Sequence, residues 1–489
     1  MDALDELTVP WRLSHKPAPS APPASIGRMP RNFLSCDRDQ PLLLPPDLRD
    51  WLPEDHLAWF VIESVESLDL QAFDAAYRAD GHGAAAHDPR MMVALLFYAY
   101  ATGERSSRVI ERRLREDVAY RVIAANRVPD HATISRFRVR HEDALAGLFT
   151  GVLGLCVEAG IASPAVVAVD GTKVAADASG HRNMDHGAIA REIIEEAGRI
   201  DAAEDELYGE RRGDELPEEL STRRGREEWI REALRRRKEE READPEPVPR
   251  DRAGRLELCR SRLVAEHRTI VAAHRDYDAR RALAPRGRPP VPAEPPAGPE
   301  GRLNTTDPDS RTMRSPHGFL QGYNAQALAN ESQVVIAAEI LTDGNDSGAL
   351  APMVDLAVRE LEGAGSKERP GVVLADAGYW SAGQIDRVRE GPTVPLVPPD
   401  RHARGRPDPG EGTGPPGFMR RALRTPTGEA LYRRRKWMIE PVFAQIKVNR
   451  GVGRFRRRGL GAVRSEWRLL TAGHNLLKLH RHRLALAAG

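Results

Sequence analysis

Leu57, Phe60, Val61, Val65 and Leu68 recur at spacings of three and four, the period of one helical face. Pro89 then opens a strongly apolar run, MMVALLFYAYATG, that ends on Gly103. Proline at the start and glycine after the end bracket a core helix, and the run is too short to span a membrane. Helical periodicity continues through SSRVIERRLREDVAYRVIAA and PDHATISRFRVRHEDALAGLFTGVLGLCVEAG. Ser106 or Ser107 can cap the first of these, and Asp130 or Thr133 the second. The period then changes. AVVAVDGTKVAADAS, within 161–180, reads as a strand, a turn and a second extended piece. From about 187 to 285 the pattern is helical again but dense in Glu and Arg, with few apolar positions. Pairs at i, i+3 and i, i+4 predict a solvated helical arm with little core of its own. RALAPRGRPPVPAEPPAGPEG, 281–301, is a Pro/Gly linker.

Strand signals return in GFLQGYNAQALAN and SQVVIAAEILTD, which predict an antiparallel hairpin turning at Glu331. A helix in GALAPMVDLAVRELEGAG, a short strand in GVVLADAGYW, a helix in SAGQIDRVREG and a strand in TVPLVPP complete a β-β-β-α-β-α-β succession. Residues 398–425 read as a loop rich in Pro, Gly and Arg, and the remainder as helical around the basic turn VGRFRRRGLG. Pro441 predicts a kink.

A chain of 489 residues predicts two or three domains. Its net charge of +1 conceals a segregation: residues 401–489 hold 21 Lys and Arg against 5 Asp and Glu, a net +16. Residues 191–245, with 19 Asp and Glu against 13 Lys and Arg, supply a net −6 of the balance. Such a distribution predicts a surface for a polyanion. Cys36, Cys156 and Cys259 have neither metal-site nor disulfide spacing, as in a reducing compartment. No apolar run of about 18 residues is present, and the first 25 residues lack a signal-peptide pattern. The expectation is a cytoplasmic protein with no membrane partner.

Asp170 and Asp376 share a description: each is expected to end a short buried strand, just before a Gly-containing turn. Acids at the carboxyl ends of strands in an α/β sheet face a crevice. Two neighbouring carboxylates repel unless a cation is present, and hard oxygen ligands suit Mg²⁺. Glu440, in the apolar stretch WMIEPVF, is the candidate third acid, with Lys447 two turns later. Such a set can hold two cations that activate an attacking oxygen and stabilise a leaving one. Taken singly, each acid could equally be a turn former or a helix cap.

LREDVAYRVIAA, PDHATISRFR, VDGTKVAADAS, TDPDSRTM, QGYNAQ, LADAGYW and EPVFAQIKVNRG, in that order, resemble the DDE transposases of bacterial insertion sequences, in particular the IS eleven-eighty-two branch of the IS-five-like group. The resemblance runs from about Asn32 to the C-terminus. It implies an α/β ribonuclease-H-like catalytic core, a mixed five-stranded sheet, with Asp170, Asp376 and Glu440 as catalytic and metal-binding triad. Two Mg²⁺ (or Mn²⁺) ions per site are implied. Relatives carry a Tyr–Arg–Glu–Lys signature around the glutamate; here Lys436 stands at the Arg place and Tyr432 falls one residue early.

The expected organisation is a disordered tail at 1–31, an all-helical N-terminal DNA-binding domain at 32–160, a catalytic domain at 161–180 and 302–489, and an inserted charged helical arm with its linker at 181–301. The helical region, with Arg136, Arg138 and Arg140, fits a helix-turn-helix reader of terminal inverted repeats. Arg435 and Lys447 would hold phosphates, Arg454, Arg456, Arg457 and Arg458 would grip the backbone, and Tyr379 or Trp380 could stack on an unpaired base. The function implied is a DNA transposase that cuts the ends of its element and joins the 3′-OH ends to target DNA, as a homodimer on double-stranded DNA in the nucleoid. A catalytically inactive DNA-binding regulator and a structure-specific nuclease are the competing readings.

Overall fold

The computed structural model describes residues 33–34, 37–38, 47–77, 85–208, 248–283, 295–315, 318–399 and 412–488. The expected tail at 1–31, much of the arm (209–247) and part of the linker (284–294) lie outside the described residues. Among the described residues the first part of the chain is helical: besides a single turn at Gln71–Asp74 it forms α1 (Leu57–Glu66), α2 (Pro89–Ala101), α3 (Ser107–Glu116), α4 (Val118–Ile123), α5 (His131–Arg140) and α6 (Glu142–Glu158). Every residue of α2 except Arg90 is buried, so this helix is the hub around which the others pack. The stretch expected to be one helix from Ser107 onward is two. Asp117 takes an extended conformation (φ −111°, ψ 124°) and its carboxylate accepts the Ala119 N–H at 2.9 Å, which ends α3 and caps α4. Asp130 caps α5 through the Thr133 N–H at 2.7 Å.

The main sheet comprises β1 (Val166–Ala175), β2 (Arg311–Ser315), β3 (Gly318–Asn330), β4 (Val335–Leu341), β5 (Val372–Leu374) and β6 (Val394–Leu396). The order is β6-β5-β1-β3-β2, with β4 also on β3. β6, β5 and β1 are parallel; β3 runs antiparallel to β1, β2 and β4. Six strands stand where five were expected. The addition is β2, which pairs with the first part of the long β3 while β4 pairs with the rest. The expected turn at Gly171 is also absent, since β1 runs unbroken through it. That glycine serves a close approach instead: a Cβ there would lie 2.8 Å from Asn324 Oδ1 and 2.9 Å from Asp346 Oδ1.

The arm begins with α7 (His186–Tyr208) and returns in α8 (Arg252–Leu283). Ile189, Leu256, Cys259 and Leu263 of the arm form a small apolar cluster with Leu303. The sheet is completed by α9 (Leu350–Gly363) and α10 (Ala382–Arg389). The segment expected to be loop up to 425 contains α11 (Gly414–Arg424), with Pro415 and Pro416 in its first turn, where proline costs no hydrogen bond. Then come α12 (Pro426–Ala444), a π turn at Gln445–Asn449, and α13 (Leu460–Ala488). One apolar core runs continuously from Ala58 through the sheet to Leu479, because α13 packs against α2, α6 and β4 together. The N-terminal helices and the sheet therefore share a single interior. Among the described residues no helix is long and apolar enough to cross a membrane.

Candidate active site

Register places the first two acids. Val166, Val167 and Ala168 of β1 pair in parallel with Val372, Val373 and Leu374 of β5. Two residues beyond the last pair, on the same face of adjacent strands, stand Asp170 and Asp376. Only Asp376 follows the end of its strand; Asp170 sits in the middle of β1, opposite Ala327 of β3, which corrects the expectation that both end strands. Each carboxylate has one oxygen fixed by a nearby backbone N–H: Gly171 donates to Asp170 Oδ1 and Gly378 to Asp376 Oδ1, both at 2.8 Å. The second oxygen of Asp170 accepts from Arg435 Nη1 at 3.0 Å. Among the described residues Asp376 Oδ2 has no hydrogen-bond partner.

Burial pushes the Asp170 carboxyl up to about 6, and neighbouring Asp376 pushes the same way; Arg435 and the Gly171 N–H oppose them. The Arg435 guanidinium, itself buried, is held charged by Asp170, Tyr432 and Asp376 against the pull of desolvation. Burial raises the pKa of the Tyr432 hydroxyl, and the neighbouring Arg435 charge opposes it. Lys447 Nζ donates to Thr172 Oγ1 and to the Lys173 carbonyl, both at 3.0 Å. Thr172 lies on the same face of β1 as Asp170, so the π turn delivers an ammonium, its pKa lowered by burial, to the strand that carries Asp170.

The opposite face of β1 carries a network that sequence reasoning missed. Asp346 Oδ1 accepts from Asn324 Nδ2 at 2.7 Å and Gln326 Nε2 at 2.8 Å, and Gln326 Oε1 accepts the Tyr379 hydroxyl. The alternating amides Asn324 and Gln326 within the strand QGYNAQALAN were the available signal. The network braces β1 and β3 behind Gly171 and fixes the turn after Asp376. It also claims Tyr379, which is fully buried; Trp380 is half-buried against the core.

Helix α12 continues through Pro441. Proline cannot donate to the Trp437 carbonyl four residues back, and Gln333 Nε2 donates to that carbonyl instead, at 2.9 Å. The irregularity falls later, in the π turn. Glu440 lies on this helix, exposed, while Arg435, Met438, Ile439, Val442 and Phe443 face inward. The structure thus brings together Asp170, Asp376 and Arg435, docks Lys447 on Thr172 of the same strand, and leaves Glu440 at the surface. Among the described residues no three of His, Cys, Asp and Glu stand close enough to hold a metal ion. The two aspartates still fit a hard cation by chemistry: buried, adjacent, oxygen-only, and matched by a positive charge where one oxygen is free of the backbone.

The remaining basic residues separate into surface and interior. Arg136, Arg140, Arg454, Arg456 and Arg458 are exposed. Arg140 lies over the Tyr77 ring, and Arg458 pairs with Asp177 at 2.9 Å. Arg457 bonds Glu142. Arg138 is buried, donating to the Tyr100 hydroxyl at 3.1 Å, the Arg105 carbonyl at 2.8 Å and the Ser107 hydroxyl, so it acts within the fold rather than as a base reader.

A mixed α/β protein with paired strand-borne aspartates and a basic C-terminal region belongs to the class that handles nucleic-acid phosphates. Two family models make the class specific: a transposase domain (DUF772) matches residues 46–140, and a transposase DDE domain matches residues 417–480. Both matched segments are transposase domains, the second of the DDE type, and together they support a DNA transposase of the insertion-sequence type. The second match includes Arg435, Glu440 and Lys447; Asp170 and Asp376 lie between the two matched segments. No curated protein and no solved structure matches the chain.

Proposed function

We propose that Asp170 and Asp376 are two ligands of a divalent-cation site, Mg²⁺ or Mn²⁺, at which the element's ends are cut and their 3′-OH groups joined to target DNA. The observation that carries this is the register of β1 and β5, which aligns the two acids so closely that Asp376 raises the pKa of Asp170. Two cations bound there would supply Lewis-acid activation of the attacking oxygen and charge relief on the leaving one. Asp170 and Asp376 would bind and orient them through the oxygens not held by the backbone. Arg435 balances Asp170 in their absence and is placed to turn to a DNA phosphate when they bind. Lys447 is placed to hold a second phosphate.

Glu440 is the proposed third ligand. It is exposed and unpaired among the described residues, just before the π turn, where a helix can change register. Four strands in antiparallel pairing, β1 to β4, with β5 and β6 added in parallel on β1, support a ribonuclease-H-like core, and the IS eleven-eighty-two branch remains the closest reading of the motifs. The protein would act in the cytoplasm, on the nucleoid, as a homodimer that brings two ends together. The test is cleavage in vitro of a duplex carrying the element's end, with Mg²⁺. Wild type should cut and join; Asp170→Ala should bind the same duplex and not cut. Binding without cleavage by wild type under any divalent ion would replace this reading with the regulator. Cleavage without joined products would favour the nuclease.

A further inference from the structure

We infer that the cleft between the start of α3 and the basic turn after the π turn is a seat for one backbone phosphate of DNA. The cleft holds about 220 Å³ and is lined by Arg105, Ser106, Ser107, Arg138, Arg456 and Arg457 among others. It lies where the two matched segments meet, with the first four of these residues from one and the last two from the other.

The charges in it do not balance. Arg105 Nη1 pairs with Glu466 at 2.8 Å, and Arg457 pairs with Glu142. Arg138 is only 7% exposed, yet among the described residues no carboxylate pairs with it; all its acceptors are neutral. Arg456 has an exposed side chain, also without a carboxylate among the described residues. Arg105 Nε is buried with no acceptor. A buried guanidinium without a counter-ion is costly, and an unmet buried donor adds to that cost. An anion in the cleft would offset both.

The donors favour a phosphate over a planar carboxylate. They converge from two sides, guanidinium from the turn and from α5, hydroxyl from Ser106, which makes no side-chain cap on its own helix. Glu104 already accepts the Arg105 and Ser106 N–H groups at 3.0 and 2.9 Å, so side chains rather than the helix start supply the site. The scaffold is rigid: the Glu466 carboxylate, 1% exposed, takes the N–H groups of both Arg456 and Arg457 together with Arg105 Nη1. A single buried acid thus shapes the turn and binds it to α3. A phosphate seated there would tie the N-terminal helices and the C-terminal region to the same DNA strand.

The inference rests on the DNA-binding reading, and two measurements on the full chain separate them. In the first, duplex affinity is followed against salt for wild type and Arg456→Gln. The variant should bind every duplex sequence more weakly and lose about 0.9 from the slope of log K against log salt, the share of one phosphate contact. In the second, thermal unfolding is compared in inorganic phosphate and in chloride at equal ionic strength. Phosphate should raise the Tm of wild type, less so that of Ser106→Ala, and not that of Arg456→Gln. Both variants change surface side chains, so the fold should persist. An Arg456→Gln slope equal to wild type overturns the seat, whether or not phosphate stabilises the protein, since stabilisation alone would mark a free-anion site. Absence of any phosphate-specific stabilisation also overturns it. A wild type that binds no duplex at all would instead bring down the DNA-binding reading itself.

Discussion

Arg435 Nη1 lies 3.0 Å from Asp170 Oδ2, with side-chain exposures of 11% and 21%. The pair joins α12 to the centre of the sheet across 265 residues of chain. Removing one partner of such a pair leaves the other charged and desolvated. Arg435→Ala should therefore cost on the order of 2–3 kcal/mol near pH 7, somewhat under the range for a fully buried pair. In an Asp170→Asn background the same substitution should cost clearly less. Urea unfolding of the four proteins, read as a double-mutant cycle, measures the coupling.

Gly171→Ala tests the close approach behind the site. The new methyl would press on Gln326 Nε2, which is tied to Asp346, and on Asn324 Oδ1. Overpacking of this kind costs about 1–3 kcal/mol. The variant should be less stable by that amount; an unchanged urea midpoint would mean that the amide network yields freely.

Gln333 and Pro441 form a testable couple, because one satisfies the carbonyl that the other leaves open. Gln333→Ala should lose about 1 kcal/mol, the net worth of a typical hydrogen bond. With Pro441→Ala the helix can supply its own N–H to Trp437, so Gln333→Ala should then cost less. Equal losses in both backgrounds would show that the Trp437 carbonyl is satisfied by solvent.

Asp307 supplies a pH dependence away from the proposed catalytic pair. It is fully buried, accepts the Tyr323 hydroxyl at 2.8 and 2.9 Å and the Gly459 N–H at 3.1 Å, and burial pushes its carboxyl up to about 6. In the unfolded chain it titrates at about 3.9. Between those values the native state holds more protons, so its contribution to stability is present at low pH and is lost as pH rises through 6. The swing is at most about 3 kcal/mol. Melting curves from pH 4 to 7 should show a smaller fall for Asp307→Asn than for wild type.

The succession of helices and strands was legible because it rests on local periodicity: a fully apolar α2 bracketed by Pro89 and Gly103, a β3–β4 hairpin, and short apolar strands that end before glycine or proline. Asp170 and Asp376 could be singled out because a carboxylate at the end of an apolar run is chemically out of place. Gly171 misled, since a glycine in a strand looks the same whether it turns the chain or admits a neighbour. The partner of the Trp437 carbonyl that Pro441 leaves open was not legible, because the Gln333 side chain comes from 104 residues away.

The chain by itself therefore determined its elements, its segregated charge and the residue types able to hold cations and phosphates. Tertiary structure alone decided that β1 and β5 pair in the register that sets two acids side by side, that Arg435 meets Asp170 and Lys447 meets Thr172 while Glu440 faces out, and that Arg138 turns inward beside Arg105. Periodicity is a property of neighbours three or four residues apart. Charge pairing, burial and the fate of a lone donor depend on partners hundreds of residues away, and only packing brings those together.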